Sequence, residues 1–266
     1  MPPSPEFTSG PSYNGYVSPI LVQIGPFAIR WYGVMVALSI LAGIALTRRA
    51  APRAGLPADL PDRVVLGFVL TLFAGARLAY VLSHPAFYLA NPVEVLRIDR
   101  GGLSSHGAIA AGLLYAAWLA RRERISAWSF TDACATWIPL ANALVRWGNF
   151  MNGELYGDPT SLPWGVVFPT APDAPRHPLQ LYEILTSLVL FALAQRWLSR
   201  RRFEGEVFWK TVGGLSAIRF LLDLLRSEYR VLGPFALGQL AAAVLVAASL
   251  VFLLRGSKPA ASKAEG

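Results

Sequence analysis

Long apolar segments separated by short polar ones are the main pattern of this chain. A membrane-spanning helix needs roughly 20 mostly apolar residues, and seven segments come close to or meet that requirement. The pattern therefore predicts an all-α membrane protein, built as a bundle of about seven transmembrane helices. The predicted segments cover residues 26–47, 64–82, 107–120, 129–146, 181–198, 206–225 and 236–254.

The polar stretches divide the chain into three predicted regions. Residues 1–23 contain no charged region followed by an apolar run, so we expect no cleavable signal peptide and an N-terminal segment outside the membrane. Residues 24–254 form the predicted membrane domain. Within it, residues 147–180 are rich in Gly, Pro and Asn and predict a small head region. Residues 255–266 read as a disordered tail.

The positions of the basic residues predict the orientation. Fifteen of them fall in the segments 48–63, 121–124, 196–210 and 255–263, all on one side of the predicted bundle. Only five fall on the other side: Arg97, Arg100, Arg176, Arg226 and Arg230. Basic residues concentrate on the cytoplasmic side of membrane proteins. The N-terminus and the head are therefore predicted outside and the C-terminus inside.

Composition removes several classes of function. The chain is 54% hydrophobic and 15% charged, with a mean hydropathy of +0.44, which excludes a disordered or nucleic-acid-binding protein despite the net charge of +8. A single cysteine, Cys134, excludes a disulfide framework. The three histidines lie far apart and form no HExxH-type pair, so we expect no metal site.

Eight ionisable residues lie within or at the edge of the apolar segments, where a charge costs roughly 2.5–3.5 kcal/mol on insertion scales. One interpretation is that internal ion pairs simply lock the bundle. The other is a polar cavity for an anionic ligand, in which the acids orient the arginines. The eight residues are Arg30, Arg77, Arg146, Arg219, Asp132, Glu154, Glu183 and Asp223.

The sixth apolar segment favours the second interpretation. Arg219, Asp223 and Arg226 are spaced at i, i+4 and i+7, which places them on one helical face. One aspartate can pair only partly with two arginines. The remaining positive charge is suited to a phosphate or a carboxylate.

The run RWGNFMNGELYG at residues 146–157 is the densest polar stretch near a predicted membrane segment. Glycines such as Gly153 allow the backbone to approach a ligand, and Asn149 and Asn152 offer donors and acceptors to hydroxyl groups. The run could instead be a capped helix end, where Asn and Gly are ordinary. That alternative does not account for Arg146 and Glu154 so close to the membrane.

His106 in GGLSSHGAIAAG lies at the predicted start of the third helix. A helix N-terminus disfavours a cation, so this imidazole is predicted to be neutral and able to accept a proton. The alternative is a purely structural histidine. His177 reads as a helix-entry residue, and His84 and Cys134 are assigned to structure.

These strings resemble the phosphatidylglycerol–prolipoprotein diacylglyceryl transferase family. The resemblance rests on GGLSSHGAIAAG, RWGNFMNGELYGDPT and RHPLQLYE, and on the face formed by Arg219, Asp223 and Arg226. IRWYGVMVALSI and GARLAYV also match in order, so the resemblance extends from about residue 24 to 254.

The resemblance implies a reaction that composition does not reveal. The family moves the diacylglyceryl group of phosphatidylglycerol onto the thiol of a lipobox cysteine in an exported prolipoprotein, and glycerol phosphate leaves. No cofactor is implied. By motif position the catalytic residues are His106, Arg146 and Arg219. The residues implied in binding phosphatidylglycerol or the lipobox are Arg146, Asn149, Asn152, Gly153, Glu154, Gly157, Tyr32, Glu183 and Asp223.

Two positions depart from the family pattern. Leu215 stands where a tyrosine usually precedes Arg219 by one turn, and Asp223 replaces a glutamate. Three functions consequently stay open from the sequence. The chain is a transferase, a divergent relative that binds or moves phospholipid without transfer, or an assembly subunit whose ion pairs are structural.

Overall fold

A computed structural model describes residues 18–25, 27–97, 101–226, 230–232 and 235–256. Helices dominate the described residues, so the structure is mostly helical, and three short antiparallel hairpins that the sequence did not predict accompany them. Most of the N-terminal segment, Arg100 and residues 257–266 of the predicted tail lie outside the described residues. Arg255 and Gly256, which the prediction also placed in the disordered tail, are helical instead. The chain forms two compact units, and each is described by itself.

Each predicted apolar segment contains helix. The nine helices of the described residues are α1 Trp31–Ala50, α2 Leu60–Leu82, α3 Pro85–Ala90, α4 Ser105–Glu123, α5 Ala127–Ala135, α6 Ile138–Met151, α7 Leu179–Ser199, α8 Glu206–Leu222 and α9 Leu237–Gly256. Among the described residues, four helices are long and apolar enough to cross a membrane: α1, α2, α7 and α9.

The predicted first helix, 26–47, begins too early. Strands β1 (Ile20–Ile24) and β2 (Phe27–Arg30) form a hairpin in its place, and α1 begins at Trp31. The strands are rich in β-branched and aromatic residues, which favour extended structure. Gly25 at the turn has a φ of +57°, a left-handed conformation that glycine adopts without strain. Arg30 is therefore an exposed strand residue rather than a helical one.

The predicted fourth segment, 129–146, is not one helix. The structure breaks it between α5 and α6, and Pro139 explains the break because proline has no N–H to continue the helical ladder and disfavours helix in the residue before it. The carbonyl of Thr136 at the break accepts a hydrogen bond from Nε2 of Gln195 at 2.8 Å. The predicted sixth segment, 206–225, also changes form, since α8 ends at Leu222 and Asp223–Leu225 is a 3-10 turn.

The first unit is formed by described residues of Met1–Leu41, Pro139–Leu190 and Val212–Ala248. Its small apolar core contains Phe150, Met151 and Phe168. Phe168 comes from a hairpin of β3 (Val166–Phe168) and β4 (Ala171–Arg176) in the predicted head region. Backbone pairing also joins β5 (Arg230–Leu232) to β6 (Phe235–Ala236) in this unit.

The second unit is formed by described residues of Ala42–Ile138, Phe191–Thr211 and Ser249–Gly266. Its larger core combines small and large apolar side chains from several helices, so the helices can pack closely. The buried members of this core are Ala50, Ala51, Ala54, Leu56, Leu60, Val64, Ala116, Leu119, Phe130, Ala133, Ala135, Ala194, Leu198 and Val207.

Asp132 has a structural place in the second unit. Its fully buried carboxylate accepts hydrogen bonds from the backbone N–H groups of Gly205 and Phe208, both at 2.8 Å, and from Nη1 of Arg201 at 3.1 Å. A carboxylate at the start of α8 is favoured by the helix dipole. For this residue the ion-pair interpretation of the sequence holds.

Replacing Asp132 with asparagine is expected to lower the free energy of unfolding by about 3 kcal/mol. The new amide N–H group would face other donors, and Arg201 would lose its counterion. The thermal midpoint in detergent measures this effect. Asp62→Asn is the matched control, because Asp62 is half exposed in its pair with Arg48 and such pairs contribute little. An unchanged midpoint would contradict the structural role.

Candidate active site

Arg146, the first residue of the polar run, lies on α6, and two neighbouring side chains fix its guanidinium. Nε donates to the Glu183 carboxylate of α7, and Nη1 donates to Oδ1 of Asn149 at 3.1 Å. The side chain is 16% exposed and that of Glu183 is 4% exposed. Among the described residues, the Nη2 group of Arg146 has no hydrogen-bond partner. An oriented cation with free donors can bind an oxyanion.

Asn149 connects this arginine to Glu154. Its Nδ2 donates to Oε1 of Glu154 at 2.8 Å, and Nδ2 of Asn152 donates to the same oxygen at 3.1 Å. Asn149 is 6% exposed, whereas Glu154 is exposed. The two amides therefore hold an accessible carboxylate in one orientation.

A tight turn follows α6 and sets the position of Glu154. Gly153 has a φ of +67° and Leu155 a φ of +64°, so two left-handed residues flank the glutamate. For leucine this conformation is strained, and it requires support from the surrounding structure. Nε2 of Gln180, which is fully buried, supplies part of that support by donating to the Glu154 carbonyl at 2.6 Å.

Arg226 supplies the rest of the support. It is 3% exposed, and it donates to the carbonyls of Leu155 and of Tyr156, the latter from Nε at 3.3 Å. Its Nη1 lies 3.1 Å from Oδ1 of Asp223, and its Nη2 lies 3.8 Å from Oε1 of Glu183. Arg226 thus stabilises the turn after α6. Each of its three nitrogens has a partner, whereas Nη2 of Arg146 has none among the described residues.

Arg219, Asp223 and Arg226 were predicted to share one face, and in α8 and the turn after it Asp223 contacts both arginines. Nε of Arg219 lies 2.6 Å from Oδ2 of Asp223, while Arg226 takes the other oxygen of the same carboxylate. Arg219 is 38% exposed, and among the described residues its Nη1 and Nη2 groups have no hydrogen-bond partner. A continuous chain of ion pairs results: Arg146, Glu183, Arg226, Asp223 and Arg219.

The sequence indicated excess positive charge around Asp223, and the ion-pair chain keeps an excess of one positive charge. Glu183 shares Arg226 with Asp223, so two carboxylates face three guanidinium groups. The accessible donors that remain belong to Arg146 and Arg219. These are the two arginines expected to contact an anion.

Gly157 and Tyr32 lie beside this cluster as packing neighbours. A Cβ atom on Gly157 would lie 2.9 Å from Cβ of His177 and 2.9 Å from the Leu225 carbonyl, so the loop can pass there only as glycine. Tyr32, on the first turn of α1, packs against Gly148 of α6 with no room for a larger residue.

Three further residues that the sequence singled out are His106, Arg77 and His177. His106 is exposed on the first turn of α4 in the second unit, so its position relative to Arg146 stays a prediction. Arg77, also in the second unit, donates to backbone carbonyls only and is not a candidate anion ligand. His177 precedes α7, and its carbonyl accepts from the Leu179 N–H at 2.9 Å, as expected of a helix-entry residue.

Sequence reasoning did not include two residues of this cluster among the site residues. Gln180 and Arg226 act by bonding to backbone carbonyls of the turn after α6. The available signals were the three-residue spacing of Gln180 from Glu183 and the i+7 spacing of Arg226 from Arg219.

The sequence matches known proteins over nearly all of its length. The family model for prolipoprotein diacylglyceryl transferase matches residues 19–255. The chain belongs to this family. The phosphatidylglycerol–prolipoprotein diacylglyceryl transferase of Geobacter sulfurreducens is 36% identical, covering 85% of this chain and 90% of that protein.

Other relatives carry the same name. The protein of Bordetella parapertussis is 40% identical over 84% of this chain and 87% of its own length. The protein of a Nostoc species is 34% identical over 88% of each chain. Family membership and the four apolar helices identify a membrane-bound transferase of lipoprotein biosynthesis, in agreement with the resemblance.

Proposed function

We propose that this chain transfers the diacylglyceryl group of phosphatidylglycerol to the thiol of a lipobox cysteine in a prolipoprotein. The substrate thiolate attacks the glyceride carbon that bears the phosphate, a C–S bond forms, and the C–O bond breaks. The bonding pair leaves with the phosphate oxygen as glycerol phosphate. The observation that carries this proposal is the fixed guanidinium of Arg146 with a free Nη2 group.

Negative charge on the departing phosphate oxygen is the charge that this site must stabilise. Arg146 and Arg219 provide N–H groups that no described side chain occupies, and the ion-pair chain holds both side chains in place. Preorganised donors of this kind favour the transition state because they need no reorganisation as charge develops. Glu183 and Asp223 orient the two arginines.

The other site residues are proposed to shape the binding of phosphatidylglycerol or the lipobox. Asn149 and Asn152 hold the exposed Glu154 carboxylate, which can accept hydrogen bonds from the glycerol hydroxyls of the lipid head group. Gly153 and Gly157 permit the turn that places this carboxylate, and Tyr32 lines the same end of α6.

His106 is the proposed general base. A free thiol has a pKa of about 8.5, so little thiolate is present at neutral pH without a base or a positive field. The exposed position of His106 on the first turn of α4 is compatible with proton transfer from an incoming substrate. Leu215, half-buried on α8, provides no hydroxyl group that could share this role.

The head is proposed to lie outside the cytoplasm, because exported prolipoproteins present their lipobox there. We propose seven spans in a bacterial cytoplasmic (inner) membrane, with the N-terminus and residues 147–180 outside and the C-terminus inside. The supporting observation is the division of basic residues, with fifteen on the proposed cytoplasmic side and five on the other.

Reporter fusions test this orientation. A reporter fused after Leu254 is expected to be active in the cytoplasm, and one inserted at Asp173, which is exposed in β4, outside it. A reporter after Glu123 at the end of α4 provides an internal cytoplasmic control. Finding the Leu254 and Asp173 reporters on the same side would contradict the seven-span arrangement.

The transfer reaction is tested with the purified full chain, phosphatidylglycerol vesicles and a peptide containing a lipobox cysteine. Mass spectrometry is expected to show the peptide with an added diacylglyceryl group, together with released glycerol phosphate. A peptide with serine in place of the cysteine is the control. Lipid binding without any covalent product would instead indicate a relative that binds or moves phospholipid.

A further inference from the structure

Arg77 on α2 uses its whole guanidinium to hold one segment of backbone. Nε donates to the Val95 carbonyl at 2.8 Å, and Nη1 donates to the carbonyls of Gly101 and Gly102 at 2.8 and 2.9 Å. Nη2 donates to the carbonyls of Glu94 and Arg97, the latter at 3.1 Å. Five N–H groups thus meet five carbonyls, the full donor capacity of the side chain.

Aromatic rings and burial fix the arginine itself. Arg77 is 9% exposed, and its guanidinium carbon lies 5.3 Å from the ring centroid of Tyr88 and 6.0 Å from that of Tyr80. A Cβ atom on Gly102 would lie only 2.6 Å from Nη1 of Arg77. The described residues on either side, 94–97 and 101–102, are therefore held by this one side chain.

Gly101 and Gly102, whose carbonyls Arg77 binds, lie only a few residues before α4. The Ser104 N–H donates to the carbonyl of Ala76, the residue before Arg77, at 3.0 Å, and the Ser104 hydroxyl caps the helix by accepting from the Gly107 N–H at 3.4 Å. At Gly107 an added Cβ would lie 2.3 Å from the carbonyl oxygen of Gly75. Residues 75–77 thereby fix both ends of the turn that carries His106.

We propose that Arg77 is a positioning residue for His106. It orders the backbone that presents the imidazole and contacts no substrate, since its donors are all occupied. This inference rests on the proposed function of His106. Lysine cannot replace arginine here, because an ammonium has three donors and at least two of the five carbonyls would lose their partner.

A double-mutant cycle of Arg77→Lys and His106→Gln tests the proposal. In the otherwise wild-type chain, Arg77→Lys is expected to reduce kcat about a hundredfold, as misplacement of a reacting group does, while KM for phosphatidylglycerol changes within about threefold. In the His106→Gln chain the same substitution is expected to cost no more than about a further twofold. Equal losses in both backgrounds would overturn the proposal.

Hydrogen exchange of the full chain in detergent provides the second measurement. Arg77→Lys is expected to speed amide exchange in peptides covering residues 94–107 and to leave α6 and α7 unchanged. The matched control is Arg63→Lys on the same helix, because Arg63 is half exposed and pairs with Asp59 and Glu123. Exchange that rises throughout the chain would assign Arg77 to general stability and overturn the proposal.

Failure of the proposed function is separable from failure of this inference. If the wild-type chain forms no lipidated peptide, the transferase function is wrong. If the wild-type chain is active and Arg77→Lys keeps its kcat, the transferase function stands and the positioning role of Arg77 is wrong.

Discussion

Replacing Arg146 with lysine is expected to reduce the transfer rate by about two powers of ten or more, the loss typical of removing a preorganised donor. Lysine keeps the positive charge but loses the planar fork that lets one side chain bond Glu183, Asn149 and a phosphate at the same time. A single ammonium nitrogen cannot replace the separate contacts that Nε and Nη1 of Arg146 make with Glu183 and Asn149 while also binding an anion. The measurement is the initial rate of peptide diacylglyceryl transfer at saturating phosphatidylglycerol.

Arg48→Lys is the matched control for this variant. Arg48 forms an ion pair with Asp62 in which each side chain is 54% exposed. Such pairs contribute little, so the same arginine-to-lysine substitution should leave the transfer rate unchanged. Both variants are checked for expression and monodispersity in detergent. Near-wild-type turnover by Arg146→Lys would show that Arg146 does not bind the phosphate group.

Local spacing predicted a large part of this candidate site. Arg219, Asp223 and Arg226 were expected on one face from their helical spacing, and Asp223 contacts both arginines. The close grouping of Arg146, Asn149 and Glu154 also follows from the sequence, because a helix end and one tight turn keep neighbours in the chain near one another.

Long-range partners were beyond sequence reasoning. Arg77 and Asp132 carry the same charges, in the same kind of apolar segment, as Arg146 and Glu183. One bonds five carbonyls of a distant loop, and the other caps α8 and pairs with Arg201. Whether a buried charge serves structure or ligand depends on which donors the fold leaves free, and only the tertiary contacts determine that.

Two departures from the predicted helices had local causes that hydropathy does not register. Pro139 divides the fourth apolar segment into α5 and α6, and Gly25 turns the chain into a hairpin before α1. Hydropathy averaged over about 20 residues measures apolar character only. It does not register that proline lacks an N–H group or that glycine adopts a positive φ. Proline and glycine positions refine such predictions.

His106→Gln is expected to abolish most transfer at neutral pH and to recover part of it as the pH rises. Glutamine preserves approximate size and some hydrogen bonding but cannot take a proton. The substrate thiol ionises unaided near its own pKa of about 8.5, so the need for a base disappears above that pH. The wild-type chain should gain much less over the same interval.

The measurement is the initial rate of peptide diacylglyceryl transfer against pH for both chains, and His84→Gln is the matched control. His84 lies before α3 and stacks on Tyr80 with centroids 4.5 Å apart, outside any proposed catalytic step. A small loss with an unchanged pH profile would show that Arg146 and Arg219 generate the thiolate by their positive field alone. Loss at every pH would assign His106 to substrate positioning and remove it from proton transfer, since added hydroxide cannot replace a misplaced contact.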